Sequence, residues 1–173
     1  MSTPLEIIYN HSLSSGLVPD QFKLANVIPI HKKDSTTCIN NYSPISLLSI
    51  INKIMKKLMY KRLINFIDKY GILYDKQFGF HEQYSTTHAT RAIEDGKYSC
   101  VVFLDFSKTF DTVDHSILIT KLSNYGIRGI AKQWFTSYLT NKRQFVSVGS
   151  ARSEGPWSSS GVTLRPITIF TVC

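Results

Sequence analysis

Apolar positions along this chain recur with two periods, and the changes of period mark out its elements. From Ser46 to Tyr70 two apolar rows repeat at helical spacing, Leu47-Ile51-Ile54-Leu58 and Met55-Met59-Leu63-Phe66-Tyr70. This spacing predicts one long helix with its apolar rows in the core, stopped by Gly71. Upstream, residues 1–18 form a lead segment with a short helix ending near Gly16. Phe22 to Asp34 predicts a strand that runs into a basic turn, and Asn41 to Leu48 returns toward the long helix. Downstream, the apolar run Val101 to Leu104 ends at Asp105, as a buried strand delivers a carboxylate to its exposed end. Asp114 is placed as the N-cap of a helix that reaches Tyr125 and stops at Gly126. Ile130, Trp134, Phe135, Tyr138 and Leu139 define another helix, whose aromatics are better suited to core packing than to base stacking. Arg143 to Val148 alternates as a strand, and Ala151 to Val162 is its return through Gly155-Pro156. Mixed strands and helices of this order predict an α+β fold.

Composition narrows the picture. A chain of 173 residues with 43% hydrophobic content is long and apolar enough for one real core. Twenty Lys and Arg against 12 Asp and Glu leave a net charge of +8, which suits a polyanionic partner. Three cysteines, Cys38, Cys100 and Cys173, make neither a disulfide framework nor a zinc motif. No apolar run approaches the ~18 residues of a membrane span. The first ten residues lack the pattern of a secretion signal, so an intracellular protein, nuclear or cytoplasmic, is expected.

Three groups of residues are candidates for chemistry. Asp105 sits where a strand can hold a metal ligand at a water-accessible end, although on its own it is more often a turn former or cap. Lys32 and Lys33 stand on the turn after the first strand, where two point charges can hold phosphate and where any solvated turn also carries lysine. Lys53, Lys57 and Lys61 stack four apart on the long helix, with Lys56 and Arg62 beside them. A solvated face is the default for such a row. The scarcity of acids on that helix, where only Asp68 occurs, favours a phosphate-tracking face instead.

The run Phe103-Leu104-Asp105-Phe106-Ser107-Lys108-Thr109-Phe110-Asp111-Thr112-Val113-Asp114-His115 resembles the first catalytic motif of reverse transcriptases from non-LTR (LINE-type, jockey-like) retrotransposons. The resemblance extends over Pro19 to Val162, including Asn41-Tyr42-Ser43-Pro44-Ile45-Ser46 and Gln77-Phe78-Gly79-Phe80. It implies a partial fingers and palm: fingers over residues 19–95 and an incomplete palm over 96–173. It also implies an RNA template, a DNA primer, deoxynucleotide substrates and Mg2+, with Asp105 as catalytic metal ligand. Phe110, five residues on, takes the place of the ring that excludes a ribonucleotide's 2′-hydroxyl. Lys32 and Lys33 fall in the basic hairpin that meets the incoming triphosphate.

The chain also departs from that pattern. Ser43 and His81 stand where the family carries arginine, so two permanently charged forks are lost. The segment between His88 and Lys97 is shorter than the family's helix there. Gly161-Val162 continues as Thr163-Leu164-Arg165-Pro166 rather than Pro-Gln-Gly. Two-metal nucleotidyl transfer needs several carboxylates around ions ~3.5–4 Å apart. The only adjacent acids are Glu94-Asp95, and none follows Glu154. The expectation is therefore a polymerase fragment by descent that is inactive alone. Two alternatives stand beside it: a basic nucleic-acid-binding module without catalysis, and a relic product with no selected role.

Overall fold

The computed structural model describes residues 3–73, 96, 113–153 and 157–158. Helix α1 covers Thr3–Ser15, strand β1 Leu24–His31, strand β2 Tyr42–Leu47 and helix α2 Ile50–Lys69. Helix α3 covers His115–Asn124 and helix α4 Gly129–Leu139, followed by strands β3 (Lys142–Val148), β4 (Ala151–Arg152) and β5 (Trp157–Ser158). The fold is α+β, as expected, and consistent with part of a polymerase fingers and palm. The run of residues 101–112, with Asp105 and Phe110, and the Gln77-Phe78-Gly79-Phe80 segment lie outside the described residues.

One mixed sheet organises the described part. β1 and β2 form an antiparallel hairpin, with Ile28 opposite Ile45 and Pro29 opposite Pro44. β1 runs parallel to β3, with Asn26 beside Phe145, and a parallel neighbour requires a long crossover rather than a hairpin. β4 and β5 both pair antiparallel with β3. Ala25 and Val27 point to the buried side, while Leu24, Ile28 and Ile30 point to the other and are exposed.

Two sequence expectations change here. The long helix begins at Ile50, not Ser46, because Ser46 and Leu47 pair with Val27 and Asn26 and extend β2. Ser49 then caps the helix, its side chain accepting from the Asn52 amide at 3.2 Å. Of the two apolar rows only one is core, and only as far as Leu63, since Phe66 is half-buried and Tyr70 at its end is 61% exposed. Met55, Met59, Leu63 and Ile67 are buried, whereas Ile51, Ile54 and Leu58 are exposed by about 40%. A helix packed on one side can bury only one stripe, so a second apolar row must face outward.

The remaining elements agree with the patterning. Asp114 caps α3, accepting from the Ser116 hydroxyl and from the amides of Ile117 at 3.1 Å and Ser116 at 2.7 Å, and these bonds, the hydroxyl's first, hold its carboxyl below the usual range. The core gathers α2, α3 and α4 around Leu118, Leu122, Trp134, Phe135, Tyr138 and Leu139. Helix α1 is tied to it by polar links. The Trp134 indole donates to Ser12 Oγ at 3.1 Å, and Ser12 donates to the Leu17 carbonyl at 2.6 Å. Gly16, at φ +70°, ends α1 where an added Cβ would meet the Ile130 carbonyl at 3.1 Å. Only glycine suits both the turn and that approach.

Candidate nucleic-acid interface

The sheet presents an open face built by register. Residues opposite one another across a ladder share a face, so Leu24, Asn26 and Ile28 lie with Arg143 and Phe145 of β3 and with Ile45 and Leu47 of β2. Arg152, opposite Ser147 on β4, lays its guanidinium 3.6 Å from the centre of the Phe145 ring. Among the described residues none of the five strands carries a carboxylate. The face therefore combines aliphatic and aromatic surface with two permanent cations, a pairing that suits stacked bases and phosphates. The period-2 alternation of Arg143, Phe145 and Ser147 was the available signal for it. The residue that completes it, Arg152, lies beyond a turn and needed the fold.

Helix α2 contributes the second cationic surface. Lys53, Lys57 and Lys61 are all exposed, and among the described residues none is paired with a carboxylate. Steps of four residues space them by ~6 Å along the axis. Lys56 does not join this row. It is half-buried, and burial together with the nearby Lys53 charge pushes its ammonium down to about 8. Lys32 and Lys33 lie where expected, exposed just beyond the end of β1. At that tip Lys32 N–H donates to the Asn41 carbonyl at 2.8 Å.

Sequence reasoning missed one cation altogether. Lys142, at the start of β3, is only 7% exposed, with its ammonium 4.6 Å from the centre of the Tyr138 ring. Burial, with the Lys56 charge adding to it, drives this ammonium down to about 7. The contact with Tyr138 is a cation–π interaction, strongest where water is excluded.

The described residues do not make a metal centre. Among them no three His, Cys, Asp or Glu side chains come together as ligands. Asp114 serves as the cap, its Oδ1 accepting from two amides and the Ser116 hydroxyl. Asp105 itself lies outside the described residues. Among the described residues no helix is long and apolar enough to cross a membrane.

Comparison with known proteins places this architecture. The reverse transcriptase (RNA-dependent DNA polymerase) family matches residues 30–166, and the chain belongs to that family. Within it, the chain is a domain of the non-LTR, LINE-type kind. It is 34% identical over 164 residues to the probable RNA-directed DNA polymerase from transposon BS of Drosophila melanogaster, covering 86% of this chain and 17% of the relative. It is 36% identical over 126 residues to the RNA-directed DNA polymerase from mobile element jockey of the same organism, covering 68% of this chain and 14% of the relative. The chain thus spans less than a fifth of the length of these curated relatives.

Proposed function

We propose that these 173 residues form the fingers (19–95) and part of the palm (96–173) of an RNA-directed DNA polymerase, and that alone they bind nucleic acid without extending it. The observation that carries this reading is the placement of charge. Exposed cations line α2, the hairpin tip and the open sheet face, while among the described residues the strands between them hold no carboxylate. In this reading a single-stranded template crosses Arg143, Phe145 and Arg152, and Lys32 and Lys33 approach the phosphates of a deoxynucleotide. Asp105 serves as a Mg2+ ligand, the metal supplying charge stabilisation in two-metal nucleotidyl transfer when the remaining carboxylates are provided.

Binding to single-stranded RNA is expected to be sequence-indifferent and to fade as salt rises. The triple variant Lys53→Ala, Lys57→Ala, Lys61→Ala should lower the slope of log K against log salt by about 2, at ~0.7 per lost phosphate contact. Fluorescence anisotropy across a salt series measures it. A slope unchanged in the triple variant removes α2 from the interface, and binding indifferent to salt favours a relic with no nucleic-acid role.

By the resemblance of its motif Phe110 is proposed for sugar discrimination, since a ring at that position of the family's motif leaves no room for a 2′-hydroxyl. Grafting residues 101–115 into an active family member and then making Phe110→Val should let ribonucleotides be incorporated while extension continues. Equal sugar preference in graft and variant, or loss of folding in the variant, would reduce Phe110 to a core residue.

A further inference from the structure

The tip of the β1–β2 hairpin places two cations immediately before an exposed hydroxyl. Lys32 and Lys33 precede Ser35 by three and two residues, and every residue from His31 to Asn40 is exposed. We infer that Ser35 is a phosphorylation site for a serine kinase with an acidic substrate groove, and that phosphate there switches off the hairpin's affinity for polyanions. The switching half rests on the nucleic-acid reading above; the modification itself does not.

Access comes from the way the hairpin is tied. Pro29 and Pro44 face each other across the ladder, and neither has an N–H, so that rung carries no hydrogen bond. Beyond it the tip is held by few links. The Asn41 side-chain amide donates to the Ser35 carbonyl at 2.8 Å, and the Tyr42 hydroxyl donates to the Thr36 carbonyl at 2.8 Å. Ser35 Oγ lies 2.7 Å from Thr37 Oγ1. No apolar side chain of residues 31–40 is buried, so opening the tip into an extended substrate strand breaks these bonds and the backbone links of Lys32 to Asn41, Cys38 to Ser35 and Asn41 to Cys38, but disturbs no core.

The chemistry is ordinary phosphoryl transfer. Ser35 Oγ attacks the γ-phosphorus of ATP, the Oγ–P bond forms, and the bond to the bridging oxygen breaks. ADP leaves with that electron pair, and the hydroxyl proton passes to the kinase's base. The product brings a charge of about −2 beside two lysines already opposed by Asp34, so the tip turns from net cationic to net anionic. It then offers a template or triphosphate repulsion in place of attraction.

The test uses the full chain, ATP and the catalytic subunit of a basophilic serine kinase. Intact mass and peptide mapping should show one phosphate on Ser35 and none there in Ser35→Ala, which should bind single-stranded RNA as the unmodified protein does. Anisotropy should show the phosphorylated chain binding roughly tenfold more weakly at moderate salt, with a slope lower by ~1.4 for two lost contacts. No transfer to Ser35, or transfer confined to Thr36 or Thr37, overturns the site. The double variant Lys32→Ala, Lys33→Ala separates the two readings. If it binds RNA like the wild type, the tip is not part of the interface and the proposed function is at fault there. If it weakens binding but phosphate at Ser35 does not, the switch is overturned while the interface stands.

Discussion

Replacing Trp134 with alanine is expected to remove roughly 3–5 kcal/mol of folding stability, a large part of the ~5–15 kcal/mol available to a domain. Trp134 is 1% exposed and packs between two other aromatics. Its ring stacks on Tyr138 with centroids 5.3 Å apart and meets Phe135 edge-on at 5.4 Å. The same indole donates to Ser12, the residue that fastens α1 to the turn at Leu17. Truncation would therefore open a cavity between the helices and release α1 together. Trp134→Phe keeps the stacking and loses the N–H and some volume, so it should cost about 1–2 kcal/mol. Urea unfolding followed by far-UV circular dichroism measures both. A loss under ~1 kcal/mol for the alanine variant would mean that this cluster does not hold the described core together.

The second large effect concerns Lys142 and depends on pH. In the folded chain its ammonium is lowered from 10.5 to about 7 by burial. Between those values the unfolded chain holds a proton that the folded chain has released, so stability rises as pH rises through that window. Below about 7 the folded form must bury the charge and is least stable. A lowering of this size corresponds to a penalty of up to ~5 kcal/mol, at ~1.4 kcal/mol per unit. Lys142→Met, of similar length and uncharged, should therefore stabilise the protein by roughly 2–4 kcal/mol at pH 6, after allowing for loss of the cation–π contact with Tyr138. The gain should shrink toward pH 10. Lys56, lowered to about 8, titrates in the same sense, so the variant keeps a shallower rise with pH. Equal stability of the two proteins at pH 6 would show that the charge is compensated where it lies.

These two residues also mark how far the sequence carries. Trp134 and Tyr138 were legible as core, because four-residue spacing in an aromatic-rich helix has few other uses. The cap at Asp114 and the stop at Gly126 were legible because they are local, each decided by a single turn of backbone. Lys142 was not, since a lysine before a strand is ordinarily solvated and only Tyr138, from the preceding helix, shows it to be buried. Ile51, Ile54 and Leu58 misled for a related reason. Two apolar stripes on α2 satisfy the same periodicity, and the choice between them is made by the neighbours that pack on one side. The parallel pairing of β1 with β3 joins segments more than a hundred residues apart, which no local pattern announces. Ser46 and Leu47 belong to the strand through their pairing with Val27 and Asn26, which the residues from Tyr42 to Leu47 do not announce by alternation. For the interface, the lysines on α2 and at the hairpin tip were legible as charge, whereas the open sheet face with Arg152 over Phe145 required the register. Asp105 and Phe110 rest on their motif, since they lie outside the described residues.

Binding without extension is what sets this chain apart from a working polymerase, and one assay reads both at once. The purified chain is mixed with an RNA template annealed to a labelled DNA primer, deoxynucleotides, and magnesium or manganese. The same samples are then resolved on native and denaturing gels. A salt-sensitive shift of the duplex on the native gel and a primer of unchanged length on the denaturing one are expected. Template-dependent extension that disappears in Asp105→Ala would contradict that expectation, and would mean that these 173 residues already hold the carboxylates a two-metal site requires.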